Sequence, residues 1–470
     1  MLSVVSLMDY IKKKMTAMTE EKASLFADVP VSKAVLTLAV PTVISQLITV
    51  VYNMADTFFI GQLGDPLQVA AATLAMPCFM FLIAFANLFG LGGSSLISRC
   101  LGLGDRAKAG HTAAFCIWTG IAAAFLYGIG ILLLEPVLFP LLGAKAETWD
   151  YLRQYVFWTI GVGAVPTVMN AEFAHLIRAE GYSKTAGFGV ALGGILNIVL
   201  DPLFIFVFKM DIAGAAIAIM LSNLIAMLYF IGFLLRIRDN TVITLHPKSY
   251  SLGQRIPLEV VTVGLPGFVM TMMSTISNTA LNHIVAGYSN TAVAGMGIAK
   301  KIDLLAYAIS QGMTQGTLPL IGYNFSSGNV RRMKQSIKTA FLYSLIVAAC
   351  GAVALYFFAA PIAEVFISDA QTVHYGQTFL KIICLACPTT AINFMVITVF
   401  QAIGKKVQPL FLSLLRKGSL DLLLMVLLNN VMGISGIAWA TPFADWVAFV
   451  ISLALIIPCV RKLDTKGERM

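Results

Sequence analysis

The sequence is poor in charge, and this excludes a globular protein that faces water on all sides. Only 12% of its 470 residues are charged, whereas a soluble domain carries about 25%. Hydrophobic residues make up 58% of the chain, and the mean hydropathy is +0.85. So few charges would not cover a water-exposed surface. The composition therefore predicts that the lipid bilayer is the main solvent of this chain.

Motifs of intramembrane enzymes and of metal sites are also missing. The sequence has no HExxH motif, no convincing GxSxG motif and only five histidines, most of them near predicted loops. Cys384 and Cys387 form a CxxC inside an apolar stretch, without a second pair at zinc spacing. We interpret these two thiols as packing residues. We therefore predict that the chain is not an enzyme and binds no cofactor.

The formal net charge of +9 does not indicate nucleic-acid binding. The basic residues lie in short connections between apolar segments and form no basic stripe. A total of 24 of them fall on one side of the predicted membrane, and only Lys145, Arg153 and Lys209 fall on the other. By the positive-inside rule both termini are predicted to be cytoplasmic. Lys12, Lys13 and Lys14 follow a short apolar stretch instead of preceding it, so no cleavable signal peptide is predicted.

Long apolar segments fill most of the chain. Residues 35–60 and 212–235 hold almost no charge, and each is long enough to cross a hydrocarbon core of about 30 Å. Backbone in lipid must satisfy its own hydrogen bonds, so such segments are predicted to be helices. The fold class is therefore all-α integral membrane, with twelve transmembrane helices. We place them at 33–60, 68–97, 111–134, 154–177, 186–208, 212–235, 257–286, 291–320, 338–360, 375–400, 408–430 and 435–459.

Internal repetition divides the chain into two halves. Ala39-Val40-Pro41, with Asn53 twelve residues after the proline, recurs as Gly264-Leu265-Pro266 with Asn278. The offset of 222 to 225 residues also relates 210–218 to 432–440, and Pro166 with Gly181 to Pro388 with Gly404. Six spans per half give both halves the same orientation, so they form pseudo-symmetric lobes in a parallel repeat. The predicted units are a cytoplasmic segment 1–32, an N-lobe 33–236, a linker 237–256, a C-lobe 257–460 and a tail 461–470.

Acidic side chains inside the predicted spans are the first functional candidates. An acid at the centre of a span costs about 2.5–3.5 kcal/mol on insertion scales, so it needs a partner or a role. Asp56 has Asn53 one turn earlier, and Asp201 has Asn197 one turn earlier. If their helices are neighbours, these oxygens would bind Na⁺ or share a proton. The alternative for the two acids is a structural role, in which they cap helices near the outer interface. The alternative for the two amides is hydrogen bonding between helices.

Other polar and apolar side chains are weaker candidates. Asn278, Asn282, Met273, Met296 and Asp445 are proposed as substrate-cavity residues, with ordinary packing or interhelical hydrogen bonding as the alternative. Pro41, Pro202 and Pro266 are proposed as hinges or kinks, because proline removes a backbone donor; plain bending is the alternative. Lys300 with Asp303 and Lys417 with Asp421 have the spacing of ion pairs within one helix.

Several segments together resemble the multidrug and toxic compound extrusion (MATE) family of prokaryotic transporters. They occur in order from about Pro41 to Asp445 and comprise residues 56–64 (DTFFIGQLG), 177–181 (IRAEG), 197–202, 214–218 (GAAIA), 318–324 (LPLIGYN) and 400–404 (FQAIG). The resemblance implies two six-helix lobes. It also implies outward export of amphipathic, usually cationic, organic compounds, driven by inward H⁺ or Na⁺ through alternating access.

The resemblance also implies where the coupling site lies. In the branch with an N-lobe cation site, an acid on span one and an Asn/Asp pair on span five carry coupling, and Asp56, Asn197 and Asp201 match these positions. The chain departs from the family at Ile219, where members often have a threonine that contributes to the site. A Na⁺ site would then have one ligand fewer, which favours protons. Another branch uses acids on spans seven and ten, where this chain has Asn278, Asn282 and Asn393.

Two other functions are alternatives to drug export. A flippase of the same superfamily, moving a lipid-linked oligosaccharide, would line its cavity with several arginines or lysines, whereas the intramembrane basic residues here lie near span ends or beside acids. The alternative of an intramembrane enzyme is disfavoured because this sequence has no HExxH and no convincing GxSxG motif. The expected partners are the lipid bilayer and an organic cation or amphipathic small molecule, with no nucleic acid. The expected location is the bacterial plasma membrane, where the chain would be a multi-pass monomer.

Overall fold

A computed structural model describes residues 24–367 and 369–467. Within these ranges the chain is helical and contains no β-strand. The predicted cytoplasmic segment 1–32 and the tail 461–470 therefore lie partly outside the described residues.

The first half of the chain forms six membrane-length spans. The fourth is broken into two helices, joined by a π-helical turn over Phe157–Val162, and the fifth ends in another π turn over Leu203–Val207. The breaks were not predicted. The helices are α1 Val31–Gly61, α2 Pro66–Gly102, α3 Arg106–Leu141, α4 Ala146–Val156, α5 Ala164–Ala179, α6 Ser183–Pro202 and α7 Asp211–Arg236.

The second half also forms six spans. Its tenth span is broken by a 3₁₀ turn at Cys384–Ala386 and its eleventh by a π turn at Leu414–Leu420. The short helix α11 precedes the tenth span and was not predicted. The helices are α8 Ile256–Ala286, α9 Asn290–Ser326, α10 Val330–Phe357, α11 Ala359–Phe366, α12 Ala370–Ile383, α13 Cys387–Ala402, α14 Val407–Ser413, α15 Asp421–Met432 and α16 Ile434–Gly467.

The prediction of a twelve-helix membrane fold is confirmed. Nine described helices are long and apolar enough to cross a membrane, and the pair α4–α5, bent by 49°, makes a tenth. The other two membrane-length segments are α9, which is span eight, and the α14–α15 pair, which is span eleven. Both contain the charged residues that the sequence places inside these spans. Several helices begin before and end after the predicted limits, because backbone hydrogen bonding continues past the apolar stretch that defines a span.

The two halves repeat in conformation as well as in sequence. Gly181 and Gly404, which occupy equivalent places in the repeat, end α5 and α13 with φ of 89° and 74°. Such left-handed residues terminate helices, and glycine adopts this conformation without a Cβ penalty. The broken fourth and tenth spans occupy matching positions as well. Two lobes of six spans in the same orientation follow from this pairing.

The lobes contact one another on the predicted cytoplasmic side. Glu259, near the start of α8, pairs with Arg99 of α2 at 3.5 Å and with Lys108 of α3 at 3.1 Å. Ser95 of α2 donates a hydrogen bond to the carbonyl of Gln401 in α13 at 2.6 Å. The bonds between Gln46 and Gln315 and between Asn87 and Thr271 also join the lobes, near the middle of the spans. The structure is therefore closed on this side.

The segment before α1 adds a second tie between the lobes. Arg332 at the start of α10 donates to the carbonyls of Leu25 at 3.2 Å, Phe26 at 2.7 Å and Val29 at 2.6 Å. Asn324 of α9 donates to the Phe26 carbonyl at 3.1 Å. Residues that lead into the first N-lobe helix are thus held by C-lobe side chains.

Glycines set the distance between the lobes, and this gives a testable prediction. A Cβ on Gly264 of α8 would lie 1.8 Å from the Leu88 carbonyl oxygen of α2. We expect Gly264→Ala to force the two helices apart and to lower stability by about 1–3 kcal/mol, as overpacking does. Gly232→Ala in α7 is the matched control, since nothing lies within 4 Å of its Cβ position. The thermal unfolding midpoints of the purified variants measure the difference. Equal midpoints would show that α2 and α8 accommodate the added methyl group without loss of stability.

Candidate functional site

Helices α1 and α6 are neighbours, which the acid prediction required. A Cβ on Gly187 of α6 would lie 2.6 Å from the Pro41 carbonyl oxygen of α1. A Cβ on Gly194 of α6 would lie 2.8 Å from the ring of Tyr52 of α1. Because these positions carry no side chain, the two helices approach closely along their length. This packing places the acids of spans one and five in the same part of the N-lobe.

The structure brings three of the four predicted coupling residues together in an N-lobe oxygen cluster, which consists of Asp56, Asn197 and Asp201. The Asn197 amide nitrogen donates to Asp201 Oδ1 at 3.0 Å, and both side chains are buried. Asp56 and Asp201 lie close enough to interact electrostatically. Within the described residues, Asp56 Oδ1, Asn197 Oδ1 and Asp201 Oδ2 are buried and have no hydrogen-bond partner.

Buried oxygens without partners are unusual, because each loses its hydration without compensation. No basic side chain of the described chain forms an ion pair with either acid of the cluster. The arrangement is therefore suited to take up a positive charge. A proton on one carboxyl would remove its charge and give it a hydrogen to donate, and a small cation would offset the charge of the two acids.

Asn53 does not join the cluster. Asn53 is exposed. Tyr52 and Tyr155 lie near both acids, and the sequence analysis did not single them out. Tyr52 had a local signal, since it precedes Asp56 by one turn. Tyr155 is on α4 and has no spacing relationship to either acid.

The three prolines have different surroundings. Pro41 and Pro266 lie within the continuous helices α1 and α8. Pro202 directly follows Asp201 and is the last residue of α6, where the helix widens into the π turn. The irregular backbone next to the cluster thus begins at the proline, as expected from its missing donor.

A polar cavity of about 190 Å³ lies between the N-lobe helices and α9 of the C-lobe. Gln46 of α1 donates to Gln315 of α9 across it at 2.9 Å. Most of the side chains that line it carry an amide, a hydroxyl or a cationic nitrogen. The polar lining residues are Gln46, Thr49, Tyr52, Asn87, Thr167, Asn170, His175, Arg178, Ser222, Asn223, Gln311 and Gln315.

A smaller cavity of about 40 Å³ adjoins the polar cavity. The two share Asn87, Gln311 and Gln315 in their linings. The remaining lining of the smaller cavity comes mainly from the C-lobe. It combines apolar side chains such as Met270 and Phe394 with polar ones such as Tyr307, Thr398 and Gln401. The lobes therefore enclose two adjoining cavities whose linings both mix polar and apolar side chains.

The predicted substrate-cavity residues line neither cavity. Asn278 and Asn282 are exposed on α8, and Met296 is buried in a C-lobe hydrophobic cluster. Met273 packs toward α14–α15, where a Cβ on Gly418 would lie 3.1 Å from its sulfur. Asp445 is buried and pairs with Arg416. Their proposed role in substrate binding stays a prediction.

The C-lobe charges are paired, unlike the N-lobe acids. Arg416 donates to both carboxylate oxygens of Asp445, and the Thr390 hydroxyl also donates to this carboxylate. The predicted intrahelical pairs are confirmed, with Lys417 at 3.4 Å from Asp421 and Lys300 at 3.8 Å from Asp303. Asp303, Asp421 and Asp445 thus each have a cation beside them, whereas Asp56 and Asp201 have none in the described chain. Cys384 and Cys387 are buried as free thiols at the break in the tenth span.

Comparison with known proteins gives consistent results. The sequence model of the MatE family matches residues 41–203 and 266–427. The chain is 28% identical over 439 residues to a multidrug export protein MepA of Staphylococcus saprophyticus, covering 93% of this chain and 96% of that protein. A MepA of Staphylococcus haemolyticus is also 28% identical, over 441 residues, with 93% and 96% covered.

Solved structures share the fold. A crystal structure of MATE in complex with MaD3S superposes with a TM-score of 0.88 at 24% identity, covering 94% of this chain and 98% of the other. A MATE family multidrug resistance transporter of the MOP superfamily, described as outward-facing, superposes with a TM-score of 0.85 at 24% identity, with the same coverage.

Proposed function

Because the chain belongs to the MatE family, whose model matches more than half of it, we propose that it exports amphipathic, usually cationic, organic compounds in exchange for an inward flow of cations. The chain is a multi-pass membrane transporter and not an enzyme. Multidrug efflux is the activity named for its MepA relatives, and the proposal assigns the same activity to this chain. It places the protein in the plasma membrane as a monomer, with both termini in the cytoplasm.

The N-lobe oxygen cluster carries the coupling part of the proposal. Three buried oxygens without partners and without a basic neighbour favour uptake of a positive charge. We assign this charge to a proton. Ile219 supplies no oxygen on span six, and three oxygens are fewer than a hard metal ion commonly takes. A proton needs only one carboxylate, so it is the simpler occupant; Na⁺ is the alternative.

The paired cavities support the substrate class. Both linings mix polar and apolar side chains, which suits an amphipathic molecule, and most of these side chains are neutral. A lipid-linked pyrophosphate would need several cationic side chains. Arg178 is the one arginine or lysine in the described linings of the two cavities, so the flippase reading has little support.

The closed predicted cytoplasmic side fits one state of an alternating-access cycle. In the proposed cycle, cation uptake at Asp56 and Asp201 from outside permits the lobes to reopen toward the cytoplasm. The cluster would then release its cation inside, where the substrate binds next. The cation and the substrate would be bound in different states, which is the requirement for exchange.

Dye efflux from energised cells tests this proposal. Cells that make the protein are expected to extrude a fluorescent organic cation faster than cells that carry the empty vector. Collapse of the pH gradient is expected to stop the extrusion, because protons drive it, whereas collapse of the Na⁺ gradient is not. If collapse of the Na⁺ gradient stops the extrusion and collapse of the pH gradient does not, Na⁺ is the coupling ion. Equal efflux with and without the protein, at confirmed expression, would overturn the export proposal.

A further inference from the structure

A lateral groove lies at the junction of the lobes, apart from the two cavities described above. Its volume is about 460 Å³, within the range of about 300–1,000 Å³ for ligand pockets. Helix α1 of the N-lobe forms one wall, and α9 and α10 of the C-lobe form the other. Among the described residues, none lines both this groove and one of the cavities. The lateral groove is therefore separate from the proposed substrate path.

The lateral groove opens toward the bilayer. Val40 and Ile44 of α1 are 44% and 51% exposed, and Ile346 of α10 is 49% exposed. The described lining is apolar throughout, apart from the hydroxyl of Tyr343. The hydrocarbon core of a bilayer supplies no water to fill such a space. A hydrocarbon chain of a membrane lipid is therefore its natural occupant.

Close packing between the lobes forms the floor of the lateral groove. A Cβ on Gly312 of α9 would lie 2.5 Å from the Val43 Cα of α1. A Cβ on Gly316 of α9 would lie 2.6 Å from the Ala39 Cα of α1. Because these two positions carry no side chain, α1 and α9 meet backbone to backbone, and the groove is closed toward the interior there. Its occupant enters from the bilayer.

Two lysines flank the predicted cytoplasmic end of the lateral groove. On α1, Lys33 precedes Leu36 by three residues and Val40 by seven, and on α10, Lys338 precedes Ile346 by eight. These spacings place each lysine on the same helical face as the groove residues that follow it. Both lysines are exposed. Within the described ranges neither of them forms an ion pair.

The contact between α10 and the start of α1 holds the two lysines at a similar depth. The Arg332 guanidinium donates to the Val29 carbonyl at 2.6 Å, and Asp28 lies close enough to interact with this arginine. Lys33 follows Val29 by four residues and Lys338 follows Arg332 by six, so both lie within about two helical turns of the contact. Side chains tilt toward the N-terminus of their helix. Both ammonium groups are therefore directed to the lipid headgroups on the predicted cytoplasmic side.

We propose that the lateral groove binds an anionic diacyl phospholipid of the cytoplasmic leaflet, with the phosphate at Lys33 and Lys338 and one acyl chain in the groove. The lysines and the apolar lining recognise different parts of this molecule. Anionic lipids of the cytoplasmic leaflet attract lysines next to membrane spans. Because α1 belongs to one lobe and α9 and α10 belong to the other, the bound lipid contacts both lobes. The proposal goes beyond the export function and does not depend on it.

Native mass spectrometry of the full-length protein in detergent tests the headgroup contact. The probes are dioleoyl phosphatidylglycerol and dioleoyl phosphatidylcholine, which have the same chains, and only the first is anionic. The wild type is expected to bind the anionic lipid about tenfold more tightly or better, since each lysine near it contributes a factor of about five. Lys33→Gln/Lys338→Gln is expected to abolish this preference. Lys248→Gln/Lys406→Gln, at two exposed lysines outside the groove, is expected to keep it.

A groove-filling substitution tests the acyl-chain contact with the same probes. Ile346→Trp places a large ring in the lateral groove and is expected to weaken binding of phosphatidylglycerol several-fold. Leu133→Trp, at a position of α3 that is 74% exposed, is the matched control and is expected to bind like the wild type. Thermal unfolding without added lipid checks that each variant folds. If Ile346→Trp does not fold, Val40→Phe fills the groove from its other wall.

Three outcomes would overturn the proposal. The first is equal binding of the two lipids by the wild type, and the second is a preference that survives in Lys33→Gln/Lys338→Gln. The third is undiminished binding by a folded groove-filling variant, which would show that the lysines attract headgroups at the surface without the groove. Glycerol 3-phosphate, which has no acyl chains, is expected not to displace the lipid. Efflux is not part of these measurements, so failure of the export proposal would leave the lipid site standing.

Discussion

Asp201→Asn is expected to reduce efflux of a fluorescent organic cation to the level of cells without the protein, a loss of at least about tenfold. Asp201 is fully buried, with one carboxylate oxygen held by Asn197 and the other without a partner in the described chain. Asparagine keeps the size of the side chain but neither ionises nor takes up a proton. The cluster would then lose the charge change on which coupling depends, while the packing of α1 against α6 stays intact.

The measurement is the initial efflux rate at matched amounts of protein in the membrane. Asp239→Asn is the matched control, because this aspartate is 83% exposed in the connection after α7 and pairs only with Arg238 at the surface. It is expected to export at the wild-type rate. Substrate binding to purified Asp201→Asn separates coupling from folding, since a coupling residue leaves binding near the wild-type value. Wild-type efflux by Asp201→Asn would remove the cluster from the coupling mechanism.

The sequence predicted this cluster because the membrane penalises polar side chains so heavily. An acid in an apolar span stands out, and an amide one turn away shares its face. The same reasoning did not establish that α1 and α6 are neighbours, since helix contacts depend on close approach at positions such as Gly187 and Gly194. It also missed Tyr155, which lies near the acids on a different helix.

In the C-lobe, ion pairs between residues far apart in the sequence could not be predicted. The Lys417–Asp421 pair lies within four residues and was predicted from spacing. Asp445 had no local partner, so it was proposed for the substrate cavity. Its partner Arg416 lies 29 residues earlier, in the eleventh span, whereas Asp445 is in the twelfth, so spacing along one helix does not relate them. The likeness of the two halves was easier to predict, because it repeats at a constant offset along the chain.

The Arg416–Asp445 pair is expected to stabilise the C-lobe strongly. Both side chains are at most 2% exposed, and Asp445 also accepts from the Thr390 hydroxyl. Removal of one partner leaves a buried charge uncompensated, which costs about 3–5 kcal/mol. We therefore expect Asp445→Leu and Arg416→Met each to lower the free energy of unfolding by that amount. The double variant is expected to recover most of the loss, because no unpaired charge remains. Unfolding of the purified variants by SDS in mixed micelles measures these changes.

The partly exposed Lys300–Asp303 pair provides the control. Its side chains are 20% and 26% exposed and 3.8 Å apart, so Asp303→Leu is expected to cost less than Asp445→Leu, since partial exposure screens the charge that remains. Recovery in the Arg416→Met/Asp445→Leu variant, together with unchanged substrate binding, would make the pair structural and remove Asp445 from the cavity candidates. Loss of binding by a double variant that remains stable would contradict this and return Asp445 to the substrate path. Stability and binding measured on the same four proteins thus decide between the two roles.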